Sequence, residues 1–326
     1  MKVLITGGMG VIGSQTAEHF VHEGHRPVLY ARHRDESLIR HLLDQVDIEL
    51  GDILDGPRLV EVLRKHRVTH IVHAAAFIGA VSQANPAKSV EVNVMGTVNV
   101  LEAARQLGVQ RVVYTSAKGV YGHIAGEYGH PTYKPLPEDH PKNPVRIYES
   151  AKFMGENVGL YYQANHEVDF VSLRFSTTYG PGKTERHGKM GVTSQAIENP
   201  FLGKPFRLPR GGDQRDDFIY NRDSALGIYL ACTAKNLTHR VFNIGSGVGV
   251  TMQDVARAVR HHLPKAKLEI GPGLNYLDSP VSYYSVYDIA RARAELGYQP
   301  QYDLLRAVGD YLEALERGRG AAAAKA

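Results

Sequence analysis

Tyr148 and Lys152 stand four residues apart in the segment Tyr148-Glu149-Ser150-Ala151-Lys152. On a helix, two such residues share a face with Cβ atoms roughly 5–6 Å apart. A phenol with a pKa near ~10 is a poor base at neutral pH unless a cation beside it favours the phenolate. Lys152 is such a cation. Tyr148 next to it can take a proton from an alcohol, or give one to a carbonyl, while a hydride moves the other way. By itself the spacing is common, and its plain reading is a solvated surface pair.

A turn that could hold a hydride carrier lies at the other end of the chain. Thr6-Gly7-Gly8-Met9-Gly10-Val11-Ile12-Gly13 follows an apolar run and opens a helical one. Gly7 suits the tight turn, Gly10 the close approach of a pyrophosphate, and Gly13 the packing of helix on strand. The N–H groups of Val11 and Ile12 at the helix start add partial positive charge for phosphate oxygens. Asp52 and Ile53 in Gly51-Asp52-Ile53 put a carboxylate where an adenine amine can donate to it. Ala74, Ala75 and Ala76 follow His73 and leave room for a dinucleotide against the backbone. The second strand ends in Ala31, followed by Arg32, His33 and Arg34. No carboxylate there would repel a 2′-phosphate and two guanidinium groups can fork one, which favours NADP over NAD. The plain reading of these arginines is a solvated basic turn.

The elements that must carry these groups alternate regularly. β-branched runs at 2–6, 27–31, 47–50, 69–72 and 111–115 are separated by helical stretches at 11–23, 57–67 and 82–107. The runs are apolar throughout, as parallel strands covered on both faces require. This predicts an α/β fold, a Rossmann doubly wound parallel sheet. Residues 121–145 read as a long loop over a surface, followed by a helix at 146–164 and a strand at 169–174. Residues 1–180 are assigned to the dinucleotide-binding domain, with parts of 210–250 returning to it. Residues 181–320 are mostly a smaller substrate-binding lobe, and 317–326 a flexible tail.

Composition narrows the classes. The chain has 326 residues, 38 Lys and Arg against 34 Asp and Glu, and a single cysteine. A net charge of +4 is too mild to make nucleic acid or an anionic membrane the main partner. A lone cysteine forms no internal disulfide, no run is long enough to span a membrane, and a cytoplasmic protein is expected. Sixteen histidines show no zinc spacing, so no metal is expected, and no GxSxG elbow supports a hydrolase.

Taken in order, TGGMGVIG, GDILD, HAAA, NVMGTVNVLEAAR, TSAKGVYG, YESAK, LRFSTTYGPG, DFIYNRD and FNIGSG resemble the extended short-chain dehydrogenase/reductase superfamily, its NAD-dependent epimerase/dehydratase group. The resemblance covers nearly the whole chain. It implies a Rossmann domain with a small substrate lobe, a bound NAD or NADP, Asn93 among the cofactor-binding residues, and a homodimer.

The chain also departs from that pattern. The family's Ser or Thr beside the reacting oxygen falls on Ala117. Either Tyr148 works alone, or Ser116 or Thr115 substitutes, or the alanine was introduced to trap a complex. Ala117-Lys118-Gly119 replaces the Thr-Asp-Glu of the 4,6-dehydratases, which disfavours water elimination. Asp216 stands where nucleotide-sugar enzymes place an arginine, with Arg215 one place earlier; 276–280 lacks the second arginine; Thr177 replaces an asparagine. A diphosphate needs positive forks, so these changes point to a substrate without one. Ala117, Tyr121, Thr177, Thr178 and Arg186 are the candidate substrate residues, with Lys189, Tyr283, Tyr284 and Tyr287 behind them.

The expected activity is an NAD(P)-dependent oxidoreductase interconverting a secondary alcohol and a ketone on a small polar substrate, sugar-like or hydroxy-acid-like. A sugar or nucleotide-sugar epimerase is the first alternative. A non-catalytic dinucleotide-binding regulator is the alternative of another class.

Overall fold

The computed structural model describes residues 1–323; the side chains of Lys189 and of residues 319–323 lie outside that description. Seven parallel strands form the central sheet: β1 (Val3–Thr6), β2 (Val28–Ala31), β3 (Asp47–Leu50), β4 (His70–His73), β5 (Arg111–Ala117), β6 (Phe170–Phe175) and, after a long excursion, β10 (Val241–Ile244). Between β6 and β10 come β7 (Thr177–Tyr179), β8 (Phe206–Leu208) and β9 (Arg215–Tyr220), and after them β11 (Gly249–Thr251) and β12 (Leu268–Ile270). The sheet order is β10-β6-β5-β4-β1-β2-β3, the doubly wound arrangement that puts a crevice beyond the C-terminal ends of β1 and β4, where the strand order reverses. Two small sheets, β11-β9-β7 and β12-β8, lie outside the central one.

The helices follow from the same alternation: α1 (Val11–His22), α2 (Gly56–Lys65), α3 (Gly79–Ala84), α4 (Pro86–Val90), α5 (Gly96–Leu107) and α6 (Ile147–Asn165) around the sheet, then α7 (Lys183–His187), α8 (Val192–Phe201), α9 (Asn221–Thr233), α10 (Met252–His262), α11 (Ala290–Leu296) and α12 (Leu304–Ala323). One core cluster joins Val3, Ile5, Phe20, Val113, Leu173, Ile228, Phe242 and Tyr298; a second, on the other face, joins Leu4, Leu59, Ile71, Leu101, Val112 and Phe170. Consecutive residues such as Leu4 and Ile5 thus bury opposite faces, which is why the strands read as unbroken apolar runs. A third cluster, with Tyr179, Ile197, Phe218, Met252, Val259 and Tyr311, packs around the two small sheets.

Three expectations are revised. The helix read over 82–107 is broken: Asn85 takes φ −128° and ψ 73° before Pro86, and a π turn over Glu91–Met95 precedes α5. Proline forbids the helical conformation to its predecessor and offers no N–H to the turn before it. Residues 121–145 are not a loose surface loop, since Leu136 and Glu138 are buried and Leu136 pairs with Tyr287. Helix α12 runs through 317–323, where the sequence suggests a flexible tail, and 324–326 lie outside the described residues.

Candidate active site

The glycine-rich turn is shaped by backbone contacts that side chains would prevent. Gly7 has φ +65°, and a Cβ on Gly13 would sit 2.2 Å from the Gly7 carbonyl oxygen. A Cβ on Gly10 would meet only that same oxygen, at 3.2 Å, so the space above Gly10 is otherwise open. Helix α1 begins there with no side-chain cap on Gly10, leaving the amides of its first turn for an anion. Opposite, the Thr6 hydroxyl accepts from the amides of Ala74 and Ala75, both at 3.1 Å, and fixes the half-buried ledge Ala74–Ala76. These features fit a dinucleotide with its pyrophosphate on α1 and its rings along the ledge.

His73 braces this floor. Its ring bonds Thr6 Oγ1 at 2.8 Å and Thr97 Oγ1 at 3.0 Å, joining β1, β4 and α5. Burial, with Lys152 adding to it, drives its pKa down to about 3, so it is a neutral structural imidazole.

Asn93 does not face the ledge with a spare donor. Its amide bonds both backbone groups of Phe77, at 2.8 and 2.9 Å, and Ser89 at 3.2 Å, shaping the ledge from behind. Asp52 turns one oxygen to the amide of Leu54, and the buried Ile53 side chain packs on Gly96. At the end of β2, Arg34 pairs with Glu36 at 2.5 Å, while Arg32 bonds His33 at 3.1 Å and makes no ion pair among the described residues.

Tyr148 lies in the first turn of α6. That turn is held by Glu149, whose carboxylate accepts from the amides of Val145 and Arg146 at 3.3 and 3.1 Å. Lys152 is buried one turn on, its ammonium 4.4 Å from the centre of the Tyr114 ring. Burial pushes the Tyr148 phenol above its ordinary value and the Glu149 carboxylate adds to this. Burial pulls Lys152 down to about 7, with Glu156 opposing. Both groups are thus biased toward their neutral forms. The direction for Tyr148 is opposite to the sequence expectation, because burial and the Glu149 carboxylate both disfavour the phenolate.

On the neighbouring strand, the two hydroxyls that could stand in for the one missing at Ala117 both have partners. Ser116 donates its hydroxyl to Glu156, which is paired with Arg174 at 2.6 Å in the interior. Thr115 donates to the His73 carbonyl at 3.1 Å. Both hydroxyls are thus engaged, Ser116 on Glu156 of α6, two turns beyond Tyr148, and Thr115 on the backbone of β4. Tyr121 is likewise interior: its hydroxyl donates to Asn243 at 2.6 Å and accepts from Arg174 at 3.1 Å. Thr178 bonds the Ser176 carbonyl, and Arg186 reaches away to Asp35 at 2.5 Å and Ser37 at 2.9 Å. Tyr287 is fully buried against Tyr121, Tyr284 meets Tyr276 with the rings tilted by 44°, and Tyr283 packs under Arg146.

Thr177 is brought to the rim, in company the sequence does not announce. Lys118 Nζ lies 2.5 Å from Asp216 Oδ1 and donates to Thr177 Oγ1 at 2.8 Å. Thr177 in turn donates to Asp216 Oδ2 at 2.7 Å, and Tyr276 donates to the same oxygen at 3.2 Å. The only signal in the chain is that all three departures, Lys118, Thr177 and Asp216, replace residues expected at a substrate site.

The NAD dependent epimerase/dehydratase family matches residues 3–245. The chain belongs to that family. It is 29% identical over 307 residues to a protein of Methanocaldococcus jannaschii described as a putative UDP-glucose 4-epimerase, covering 93% of this chain and 94% of that one. It is 28% identical to UDP-glucose 4-epimerase of Mycolicibacterium smegmatis over 96% of this chain and 98% of the relative. Among solved structures, the Thermus thermophilus UDP-glucose 4-epimerase complex with NAD superposes with a TM-score of 0.79 at 28% identity, covering 96% and 99% of the two chains. The holo GalE-like L-threonine dehydrogenase of Cupriavidus necator gives a TM-score of 0.83 at 25% identity, over 97% and 100%. The family member described here is an enzyme of the extended short-chain dehydrogenase type with a Rossmann fold. No described helix is long and apolar enough to cross a membrane.

Proposed function

We propose that the chain is an NAD(P)-dependent oxidoreductase that interconverts a secondary alcohol and a ketone on a small polar substrate. The observation that carries this reading is Asp216: a carboxylate bound to Lys118 and Thr177 stands where the family's nucleotide-sugar enzymes place an arginine. A nucleotide diphosphate needs paired guanidinium forks, and neither Asp216, one place beyond Arg215, nor the stretch 276–280 supplies one.

The residues divide the work. The α1 amides and the Gly10 gap seat the pyrophosphate, and Ala74–Ala76 support the rings. Lys152 bonds the ribose hydroxyls in this reading. Tyr148 exchanges the proton with the substrate oxygen. When bound, the oxidised nicotinamide supplies a hydride acceptor and a positive charge. That charge favours the Tyr148 phenolate, which burial alone disfavours. With Ala117 offering no hydroxyl, Tyr148 is the side chain assigned to the reacting oxygen.

Arg32 supports NADP over NAD, since its guanidinium has no carboxylate partner among the described residues. Arg32→Ala should weaken NADP⁺ far more than NAD⁺ in a titration; equal losses would overturn that preference. A homodimer is proposed on the family resemblance alone.

The second reading, a nucleotide-sugar epimerase, is favoured by the two relatives described as UDP-glucose 4-epimerases. Nicotinamide absorbance separates the two. Net reduction of NAD(P)⁺ by a small secondary alcohol supports the oxidoreductase. Interconversion of UDP-glucose and UDP-galactose without net reduction would replace it with the epimerase. Unchanged turnover in Tyr148→Phe would remove catalysis by this pair altogether and favour a dinucleotide-binding regulator.

A further inference from the structure

Two lysines converge on the Thr177–Thr178 edge. Lys118 binds Asp216 and Thr177 from one side, while Lys183 donates to the Thr178 carbonyl from α7. Asp216 is the one carboxylate in this group. Asp217, next in the chain, faces elsewhere and accepts from the amides of Ser246, Gly247 and Tyr287. Lys118, Lys183 and Asp216 therefore carry a net charge of one positive unit in a partly dry setting. Burial, with the proximity of Lys118 adding to it, lowers the Lys183 pKa to about 8. Such a site is short of an anion.

Lys118 is also oriented for one. An ammonium has three N–H donors, and Asp216 and Thr177 take two of them. Asp216 is itself saturated, accepting from Lys118, Thr177, Tyr276 and the Asp217 amide, so it acts as an anchor. The turn that carries Lys118 runs from Ala117 to Gly119, and Gly119 abuts Glu149, the neighbour of Tyr148. Lys118 directly follows Ala117, the position where the family's hydroxyl is missing, and its ammonium keeps one donor beyond those taken by Asp216 and Thr177.

We infer that Lys118, pinned by Asp216 and Thr177 and seconded by Lys183, binds a carboxylate of the substrate, making that substrate a small hydroxy acid. This inference rests on the small-substrate reading above and assigns Lys118 as a specificity residue within it. The same cations could instead serve the cofactor's pyrophosphate, and the experiment separates the two sources.

The test compares probe pairs that differ in their carboxylate: L-threonine with L-threoninol, D-gluconate with D-glucitol, and UDP-glucuronate with UDP-glucose. Calorimetry in the presence of NAD⁺ or NADP⁺ measures binding. A small acid should bind about tenfold or more tightly than its alcohol. Lys118→Met should erase that preference while leaving dinucleotide affinity within about twofold. Asp216→Asn, which adds one unit of positive charge, should increase the preference, a gain that a misfolded variant would not produce. Absence of preference in all three pairs, or its survival in Lys118→Met, overturns the inference. So does a loss of dinucleotide affinity in Lys118→Met as large as the loss for the acid, which would assign the cations to the cofactor. Lys118-dependent preference for UDP-glucuronate alone would keep the carboxylate site and reject the small-substrate reading.

Discussion

Ser116 donates its hydroxyl to Glu156, on the face of β5 opposite Ala117. Glu156 is fully buried and also takes Arg174, so the serine completes an interior polar cluster. Ser116→Ala should therefore lower stability by about 1–3 kcal/mol, the cost of leaving a buried acceptor one donor short. Turnover per folded molecule should change less than about threefold, against the ~10²-fold or greater loss of a general acid–base partner. Thermal melts alongside steady-state rates read the two effects separately.

Tyr148 and Lys152 should behave in the opposite way. Tyr148→Phe removes the proton exchanger without emptying the buried volume, so kcat should fall by about 10²–10⁴ while the dinucleotide still binds. Lys152→Met should lose turnover and also weaken the dinucleotide, because the ammonium is placed to serve both. Loss of dinucleotide affinity in Tyr148→Phe with kcat retained would contradict this assignment of roles.

The two glycines at the phosphate turn separate folding from binding. Gly10 has an ordinary φ of −83°, and its added Cβ would meet one carbonyl oxygen at 3.2 Å. Gly10→Ala should fold and fail to gain thermal stability from NAD(P)⁺. Gly13→Ala would press a Cβ to 2.2 Å from the Gly7 oxygen and should disrupt the turn itself. A Gly10→Ala protein that is stabilised by the dinucleotide as well as wild type is would remove the pyrophosphate from this gap.

The buried histidine gives a pH dependence. His73 falls from an ordinary value near 6.5 to about 3 in the fold. The unfolded chain therefore takes up a proton between these values that the native state refuses. Stability is complete above pH ~6.5 and is lost as pH drops toward 3, by up to ~1.4 kcal/mol per unit for this one group. His70 and His187, each lowered to about 4 chiefly by burial, act with the same sign. His73→Asn should flatten the acid limb of a denaturation series measured from pH 7 to pH 4.

Much of the scaffold is legible because its cause is local. Lys2–Thr6 reads as a strand and Val3–Thr6 is one, since a run such as VLIT has no polar face to expose. The glycine turn reads correctly because Gly7 and Gly13 answer to backbone contacts within a few residues. Direction at the rim is another matter. Ser116 and Ala117 differ by one pleat, so their roles exchange if the strand ends one residue earlier. Lys118 lies just past the strand, and its anchor Asp216 is 98 residues away. No periodicity predicts that meeting. The Asn85-Pro86 break was visible in the letters, yet the apolar pattern on either side of it reads as one helix.

The return of β10 to the side of β6 has a consequence for dissecting the chain. A fragment ending near Gly180 would retain the glycine turn, Tyr148 and Lys152, yet would present β6 as a bare parallel edge. Unpaired edges recruit other chains. Such a fragment should self-associate on purification, so attempts to isolate a minimal nucleotide module from this protein call for a sequence that keeps 241–244 in place.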